Sequence, residues 1–183
     1  MSRLDSLDPF RLMTDRLALT PLRLNQIVRL PTAPSEVAEE SCLAWDADAF
    51  SDDAWRAVRI KRIKMTIAPP SEYRWFTTWL IGSRAERRVV GCIGFKGVPD
   101  EAGDVEIGYG VAASARGQGI GTEAAQRLIN WAFEDPRCRG VWGNPLKTNE
   151  ASIRLLLSCG AEPIGETEHS WLLRVPRPAG HPE

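Results

Sequence analysis

The residues of this chain best suited to chemistry are Arg116-Gly117-Gln118-Gly119-Ile120-Gly121-Thr122. They follow a stretch that reads as a strand and open one that reads as an amphipathic helix. Glycine lets the backbone turn sharply and come close to a ligand. The first N–H groups of a helix have no partner within it, and the positive end of its dipole points the same way. Such a site attracts phosphate, although the same glycines would also serve a plain tight turn. Two other phosphate loops are excluded by spacing. Gly117, Gly119 and Gly121 give G-x-G-x-G where a dinucleotide fingerprint needs G-x-G-x-x-G, and the nucleoside triphosphate loop needs G-K followed by Ser or Thr.

Other reactive side chains offer less. Cys42, Cys92, Cys138 and Cys159 lie far apart, form no C-x-x-C pair and have only two histidines to join them, so no metal site is expected. Free thiols in a reducing compartment are expected instead. Cys159 falls at the C-terminal end of a predicted helix, where the dipole disfavours a thiolate, and Cys92 falls in an apolar strand. His169 has no visible partner for a catalytic triad.

The glycine segment must be held by the elements around it. Val105 to Val111 alternates as a strand does and forms a hairpin with Arg88 to Lys96 across the turn Val98 to Asp104. Gly91 and Gly94 suit a bulge or a close backbone approach. After the polar loop Ala112 to Ala115 and the glycines, Ala124, Ala125, Leu128, Ile129 and Ala132 recur at helical spacing. They predict a helix over Thr122 to Phe133 that stops before Pro136. Gly140 to Pro145 reads as a short strand, Asn149 to Ser158 as a capped helix closed by Gly160, and Ser170 to Val175 as the last strand.

Upstream, Thr14 to Leu22 reads as a half-buried first strand after a loose lead-in. From Glu36 to Asp53 there are seven acidic residues and no Lys or Arg, and Arg56, Arg59, Lys61, Arg62 and Lys64 then reverse the sign. This block reads as helical, with Trp45 and Trp55 on it, until Pro69-Pro70 interrupts it. Ser71 reads as the cap of a further short piece, helical or extended. No linker or repeat divides the chain. The expected fold is therefore α/β (α+β) with antiparallel pairs at its centre, one domain over 1–183 with a structured core of about 10–175 and a tail at 176–183.

At 183 residues the chain can bury roughly 70% of its unfolded surface, enough to hold a closed pocket without disulfides or metals. Hydrophobic residues at 43%, charged residues at 26% and a formal net charge of −1 are those of an ordinary globular protein and exert no global pull on nucleic acid. The start of the chain lacks the apolar run of a signal peptide, and no stretch approaches the roughly 20 apolar residues of a membrane span. A cytoplasmic location is expected, with no membrane partner.

The glycine segment resembles the GNAT superfamily of N-acetyltransferases, whose acetyl-CoA signature, Arg or Gln followed by x-x-G-x and Gly or Ala, is met by Arg116-x-x-Gly119-x-Gly121. Thr14-Asp15-Arg16-Leu17 is similar to the T-x-R-L opening of the branch that includes ribosomal-protein N-terminal acetyltransferases. Glu106-Ile107-Gly108-Tyr109 is similar to its E-I-G-Y strand. Asn149-x-x-Ser152, followed by Cys159-Gly160-Ala161, is similar to its N-x-x-S and L-G-F motifs. The resemblance covers most of the chain and is loose from about Asp46 to Arg87.

That resemblance implies a GNAT-like fold, a mixed and mostly antiparallel sheet flanked by helices, with two splayed strands between which the cofactor lies. Acetyl-CoA would be the co-substrate, with no metal. Its pyrophosphate would lie on the loop amides of Arg116, Gly117, Gln118, Gly119, Ile120, Gly121 and Thr122, with Arg116 marking the start of the loop. The pantetheine arm would pair with Tyr109, Gly110 and Val111, and an N–H near Gly110 or Val111 would polarise the thioester carbonyl. Asn149 would contact pantetheine as well as cap its helix.

The reaction so implied is direct attack of an amine on the thioester. An alkylammonium has a pKa of about 10, so something must take its proton. Glu106, acting through a water, is the candidate, and its ordinary alternative is a solvated or salt-bridged strand residue. Many members carry a tyrosine seven residues beyond the asparagine to protonate the leaving thiolate, but that position here is Leu156. Ser152 or Tyr109 would replace it, although Ser152 reads better as a capping or pantetheine-contacting hydroxyl of the first turn. Ala161 stands where phenylalanine is common.

The acceptor is open. Trp45, Trp55, Trp75 and Trp79 fall where the family covers the acceptor, and would otherwise pack the core. The acidic run would attract a cationic amine, or be neutralised by the basic run after it. A peptide N-terminus, a small amine and an amino-containing antibiotic all satisfy the chemistry, and a homodimer is compatible with it. The rival readings are a non-catalytic acetyl-CoA sensor or interaction domain of the same fold, and a dinucleotide oxidoreductase.

Overall fold

The computed structural model describes residues 10–179. The outer part of the expected tail, from residue 180, and residues 1–9 lie outside the described residues. Eight strands form one sheet in the order β1-β2-β3-β4-β5-β6-β8-β7. The strands are β1 (Leu12–Met13), β2 (Leu17–Pro21), β3 (Trp79–Ser83), β4 (Arg88–Phe95), β5 (Asp104–Val111), β6 (Gly140–Gly143), β7 (Glu162–Glu166) and β8 (Trp171–Pro176). Every neighbouring pair is antiparallel except β5 with β6, which is parallel. The helices are α1 (Leu24–Arg29), α2 (Pro34–Glu39), α3 (Asp52–Ile67), α4 (Tyr73–Phe76), α5 (Ile120–Ala132) and α6 (Glu150–Ser158).

Alternation along β5 separates the two faces of the sheet. Val105 and Ile107 are buried in the same core as Ala124, Leu128, Ile129 and Ala132 of α5. An aromatic cluster of Trp75, Trp79, Phe95 and Trp131 fills one end of that core, with ring centroids 4.7 to 6.0 Å apart. Burying a side chain such as Leu128 contributes about 1.5–3 kcal/mol, so the stripe on α5 fixes which way its N-terminus points. Leu80, Val89 and Cys92 belong to a second core with Ile27, Val37, Val58 and Met65. Helices α1 to α3 thus cover the face opposite α5, and Glu106, Gly108 and Gly110 share that face.

Lys61 is the unusual residue of the second core. It is buried, and its ammonium donates to the Thr77 carbonyl at 2.6 Å and the Phe95 carbonyl at 2.8 Å. These carbonyls lie beyond Trp79↔Ile93, the last matched pair of β3 and β4. The lysine therefore staples the two strands where their ladder ends. A Cβ at Gly94 would come within 2.5 Å of its nitrogen and 2.7 Å of the Thr77 oxygen, so glycine there meets the expected close approach. The irregularity of the ladder falls elsewhere, opposite Ile81 and Gly82, where Val90 is unmatched.

Three strands go beyond the sequence reading. Trp79–Ser83 is buried at every position, so its short apolar run lacks the alternation that marks a strand. Glu162–Glu166 is exposed throughout and carries Pro163 and Gly165, residues tolerated at the outer edge of the sheet. Leu12–Met13, in the expected lead-in, is too short to carry a pattern.

The acidic and basic block is not one helix. Trp45 lies between α2 and α3, next to Ala44, which bridges to Arg88. Its acids pair mostly outside the basic run: Glu36 and Glu40 with Arg29, and Asp46 with Arg88. Within the block, Arg56 meets Asp53 at 3.5 Å. Ser71 does not cap α4, whose N-cap is Glu72 without a side-chain bond. Helix α5 begins at Ile120, ahead of the expected Thr122.

Candidate functional site

Beyond Val111 the chain makes a short 3₁₀ turn over Ala113–Ala115 and enters the glycine segment. Gly117 and Gly119 take the left-handed conformation, with φ of +71° and +74°. A side chain is strained there, so these two positions call for glycine on backbone grounds. Gly119 is the N-cap of α5 and has no side chain to satisfy the helix's first N–H groups. A Cβ built at Gly117 would meet no atom within 4 Å, so the backbone there faces open space. Gly121 instead serves packing, since a Cβ there would come within 2.9 Å of Leu155 on α6.

The loop is anchored by residues far away in sequence. Thr14 to Leu17 form the turn between β1 and β2, with the Leu17 N–H donating to the Thr14 hydroxyl at 2.8 Å. That hydroxyl donates to Oε1 of Glu123, in the first turn of α5, at 2.5 Å. Arg16 gives Nε and Nη2 to Oε2 of Glu123 at 2.6 and 2.5 Å, and Nη1 to the Gln118 carbonyl at 2.9 Å. Partial burial alone would raise the Glu123 pKa, but the bonds from Thr14 and Arg16 outweigh it and hold the carboxyl below its ordinary range. Neither Thr14 nor Arg16 was assigned a role from sequence. The T-x-R-L motif and the acid in the first turn of α5 were the available signal.

Strand β5 supplies an open edge. Its pairing with β6 stops at Glu106↔Trp142, while its pairing with β4 continues to Val111. On the β4 side the Lys96 N–H donates to the Glu106 carbonyl and the Ala112 N–H to the Val90 carbonyl, each at 2.9 Å. In an antiparallel ladder the bonding direction alternates, so Gly108 and Gly110 also bond toward β4. Tyr109 and Val111 therefore direct their N–H and C=O groups into the gap beyond β6. Of the two expected oxyanion donors, Val111 faces the gap and Gly110 faces β4. The exposed Arg116 side chain donates from Nε to the Val111 carbonyl at 3.1 Å, tying the loop to the end of that edge.

The two faces of β5 present different groups. On the α5 side, Tyr109 places its hydroxyl 2.8 Å from the Ser152 hydroxyl and 3.3 Å from the Ser152 carbonyl. Burial pushes this phenol up to about 12, with the bond to Ser152 pulling the other way. Asn149 is exposed and caps α6, its Oδ1 accepting the Ser152 N–H at 3.1 Å, which leaves its NH₂ free to donate. Leu156 is buried, 1% exposed, against β6, so no acid stands at that position. On the opposite face Glu106 forms an ion pair with Lys96. Beside it, Cβ atoms built on Gly108 and Gly110 would meet nothing within 4 Å, so that face of the strand is the floor of an open space.

Other groups stand apart. Trp45, Phe50 and Trp55 pack on one another with centroids 5.0 to 5.9 Å apart, whereas Trp75 and Trp79 belong to the α5 core. All four cysteines are free, and burial pushes Cys92 and Cys138 up to about 12 and Cys159 to about 11. His169 is exposed. Among the described residues, no three His, Cys, Asp or Glu are grouped to hold a metal ion, and no helix is long and apolar enough to cross a membrane.

The sequence profile of the family described as Acetyltransferase (GNAT) domain matches residues 16–162. The uncharacterized N-acetyltransferase YjdG of Bacillus subtilis (strain 168) is 47% identical over 58 residues, 32% of this chain and 34% of that one. The matched stretch thus spans about a third of that relative's length. The ribosomal-protein-S5-alanine acetyltransferase from Vibrio fischeri aligns with a TM-score of 0.61 at 14% identity, over 94% of this chain and 99% of that one. The microcin C7 self-immunity acetyltransferase MccE, solved with acetyl-CoA and AMP, aligns with a TM-score of 0.61 at 18% identity, over 93% and 98%. At these identities the likeness to both structures is one of fold.

Proposed function

The chain belongs to the acetyltransferase (GNAT) domain family, and from that premise we propose that it transfers the acetyl group of acetyl-CoA to a primary amine, on a peptide N-terminus or a small molecule, by direct attack on the thioester. The observation that carries this reading is the open edge of β5 past Glu106↔Trp142, joined by the short 3₁₀ turn to the left-handed glycine loop. The loop amides from Arg116 to Thr122 would hold the pyrophosphate, and the edge groups of Tyr109 and Val111 would hold the pantetheine arm. The NH₂ of Asn149 adds a contact from α6. Acetyl-CoA supplies the activated acyl group. MccE, which holds that molecule on a similar fold, supports it as co-substrate.

The Val111 N–H would stabilise charge on the thioester carbonyl, a service worth about 10²–10³-fold in rate for one donor. Glu106, on the face with open space at Gly108 and Gly110, would take the amine's proton through a water. Tyr109, backed by Ser152, would face the departing sulfur. A phenol held at about 12 keeps its proton at neutral pH. A thiolate of pKa about 8.5 is too weak a base to take that proton outright, so Tyr109 supplies a hydrogen bond.

The test is acetyl transfer to a panel of amines and short peptides, measured as CoA release. Glu106→Gln should lower kcat by roughly 10²-fold or more, with CoA affinity unchanged. A second reading, a non-catalytic acetyl-CoA sensor, is favoured by buried Leu156 and by the engagement of Glu106 with Lys96. Tight CoA binding without CoA release for any acceptor would decide for the sensor.

A further inference from the structure

The contacts that anchor the glycine loop to the β1–β2 turn gather on the Glu123 carboxylate, and one of them reaches the loop itself, at the Gln118 carbonyl. In a trans peptide the C=O of Gln118 and the N–H of Gly119 point in opposite directions. Gly119 tolerates both signs of φ, so the peptide between them can flip at little cost. One orientation turns the Gly119 N–H outward; the other presents a carbonyl oxygen to an incoming anion. Arg16 Nη1 holds that carbonyl at 2.9 Å. The same guanidinium is oriented by its fork on Glu123, and Glu123 is oriented by the Thr14 hydroxyl.

We infer that Thr14, Arg16 and Glu123 form a positioning clamp that holds the Gln118 carbonyl on Arg16, so that this peptide group presents its N–H and not its carbonyl oxygen to the cofactor phosphates. The inference rests on the proposed role of the loop as the pyrophosphate cradle, and it adds residues outside the loop on which cofactor affinity depends. It separates from plain electrostatics by sign. Glu123 is an acid in the first turn of the helix that faces the phosphates, so removing its charge should tighten anion binding if only Coulomb attraction mattered. A clamp requires the reverse.

The experiment measures CoA affinity by calorimetry, and KM for acetyl-CoA and for S-acetylpantetheine, which lacks the pyrophosphate, in wild type, Glu123→Gln, Thr14→Val and Arg16→Lys. Glu123→Gln should weaken CoA binding roughly tenfold or more, the scale of a lost charge-assisted hydrogen bond. Thr14→Val changes no charge and should weaken it in the same direction. Arg16→Lys, a point donor unable to serve carboxylate and carbonyl together, should recover only part of the affinity. KM for S-acetylpantetheine should not move, whereas damage to the fold at large would raise both KM values. Equal or tighter CoA binding by Glu123→Gln, or a parallel rise in both KM values, overturns the clamp. Failure of the wild type to bind CoA at all overturns the cradle reading beneath it.

Discussion

The chemistry of this site turns on which face of β5 each side chain occupies. Glu106 and Tyr109 are even and odd positions of one strand, so they stand on opposite sides of the sheet, one toward the open floor and the other toward α6. Tyr109→Phe should lower kcat roughly tenfold, the scale of one hydrogen bond to a charged atom, and leave CoA affinity intact. A phenol at about 12 also predicts no kinetic limb from Tyr109 below about pH 10, which a pH–rate profile of the wild type will check. That the two stand on opposite faces was legible because the strand alternates, while the roles proposed for them came from the family resemblance. Arg16 was not legible, because its partners Glu123 and Gln118 are more than a hundred residues away, and a lone arginine in a first strand reads as a solvated charge.

At the level of elements, the hairpin of β4 and β5, helix α5 and the capped α6 were readable from period, cap and glycine position. The strands that were missed fail the pattern for physical reasons: β3 is buried on both faces, and β7 is exposed on both. The staple of β3 and β4 by Lys61 gives the element-scale prediction. Burial, opposed by nearby Cys92 and reinforced by Lys64 and Lys96, lowers the lysine to about 7 from 10.5. Between those values the unfolded chain keeps a proton that the folded chain has released, so stability rises with pH, and below about 7 the slope vanishes. The neutral amine still has two hydrogens for the two carbonyls. The stability of wild type relative to Lys61→Met should therefore increase from pH 7 to 8.5, by up to about 2 kcal/mol at 1.36 kcal/mol per unit. Denaturant midpoints at the two pH values measure it.

For the whole molecule, the sheet is continuous in hydrogen bonding yet divided in purpose. The strands from β1 to β4 back the edge of β5, while β6, β8 and β7 diverge from that edge to leave the gap. A ligand lying there would touch both halves and bind only the folded chain. CoA at a hundred times its Kd should thus stabilise the protein by about 2.7 kcal/mol. Gly119→Ala, strained at φ +74°, should lose most of that gain while the cofactor-free protein melts only slightly lower. Calorimetric melting with and without CoA checks both. The parallel pairing of β5 with β6 was not drawn from the order of elements, whereas the open edge at Tyr109 to Val111, past the last pair Glu106↔Trp142, lies where the family resemblance put the splay.

Leu156 carries a consequence for any attempt to install a tyrosine at its position. Its Cδ1 lies 2.9 Å from where a Cβ on Gly143 would stand, and the side chain is sealed at 1% exposure. Leucine at one position and glycine at the other have become mutually contingent. A tyrosine at this position would have to force its ring into β6 or turn it toward the gap, at a cost of about 1–3 kcal/mol for overpacking. In the proposed reaction, Leu156→Tyr alone therefore does not set a hydroxyl beside the sulfur without cost, and the hydrogen bond there falls to Tyr109 on the strand instead of to the helix.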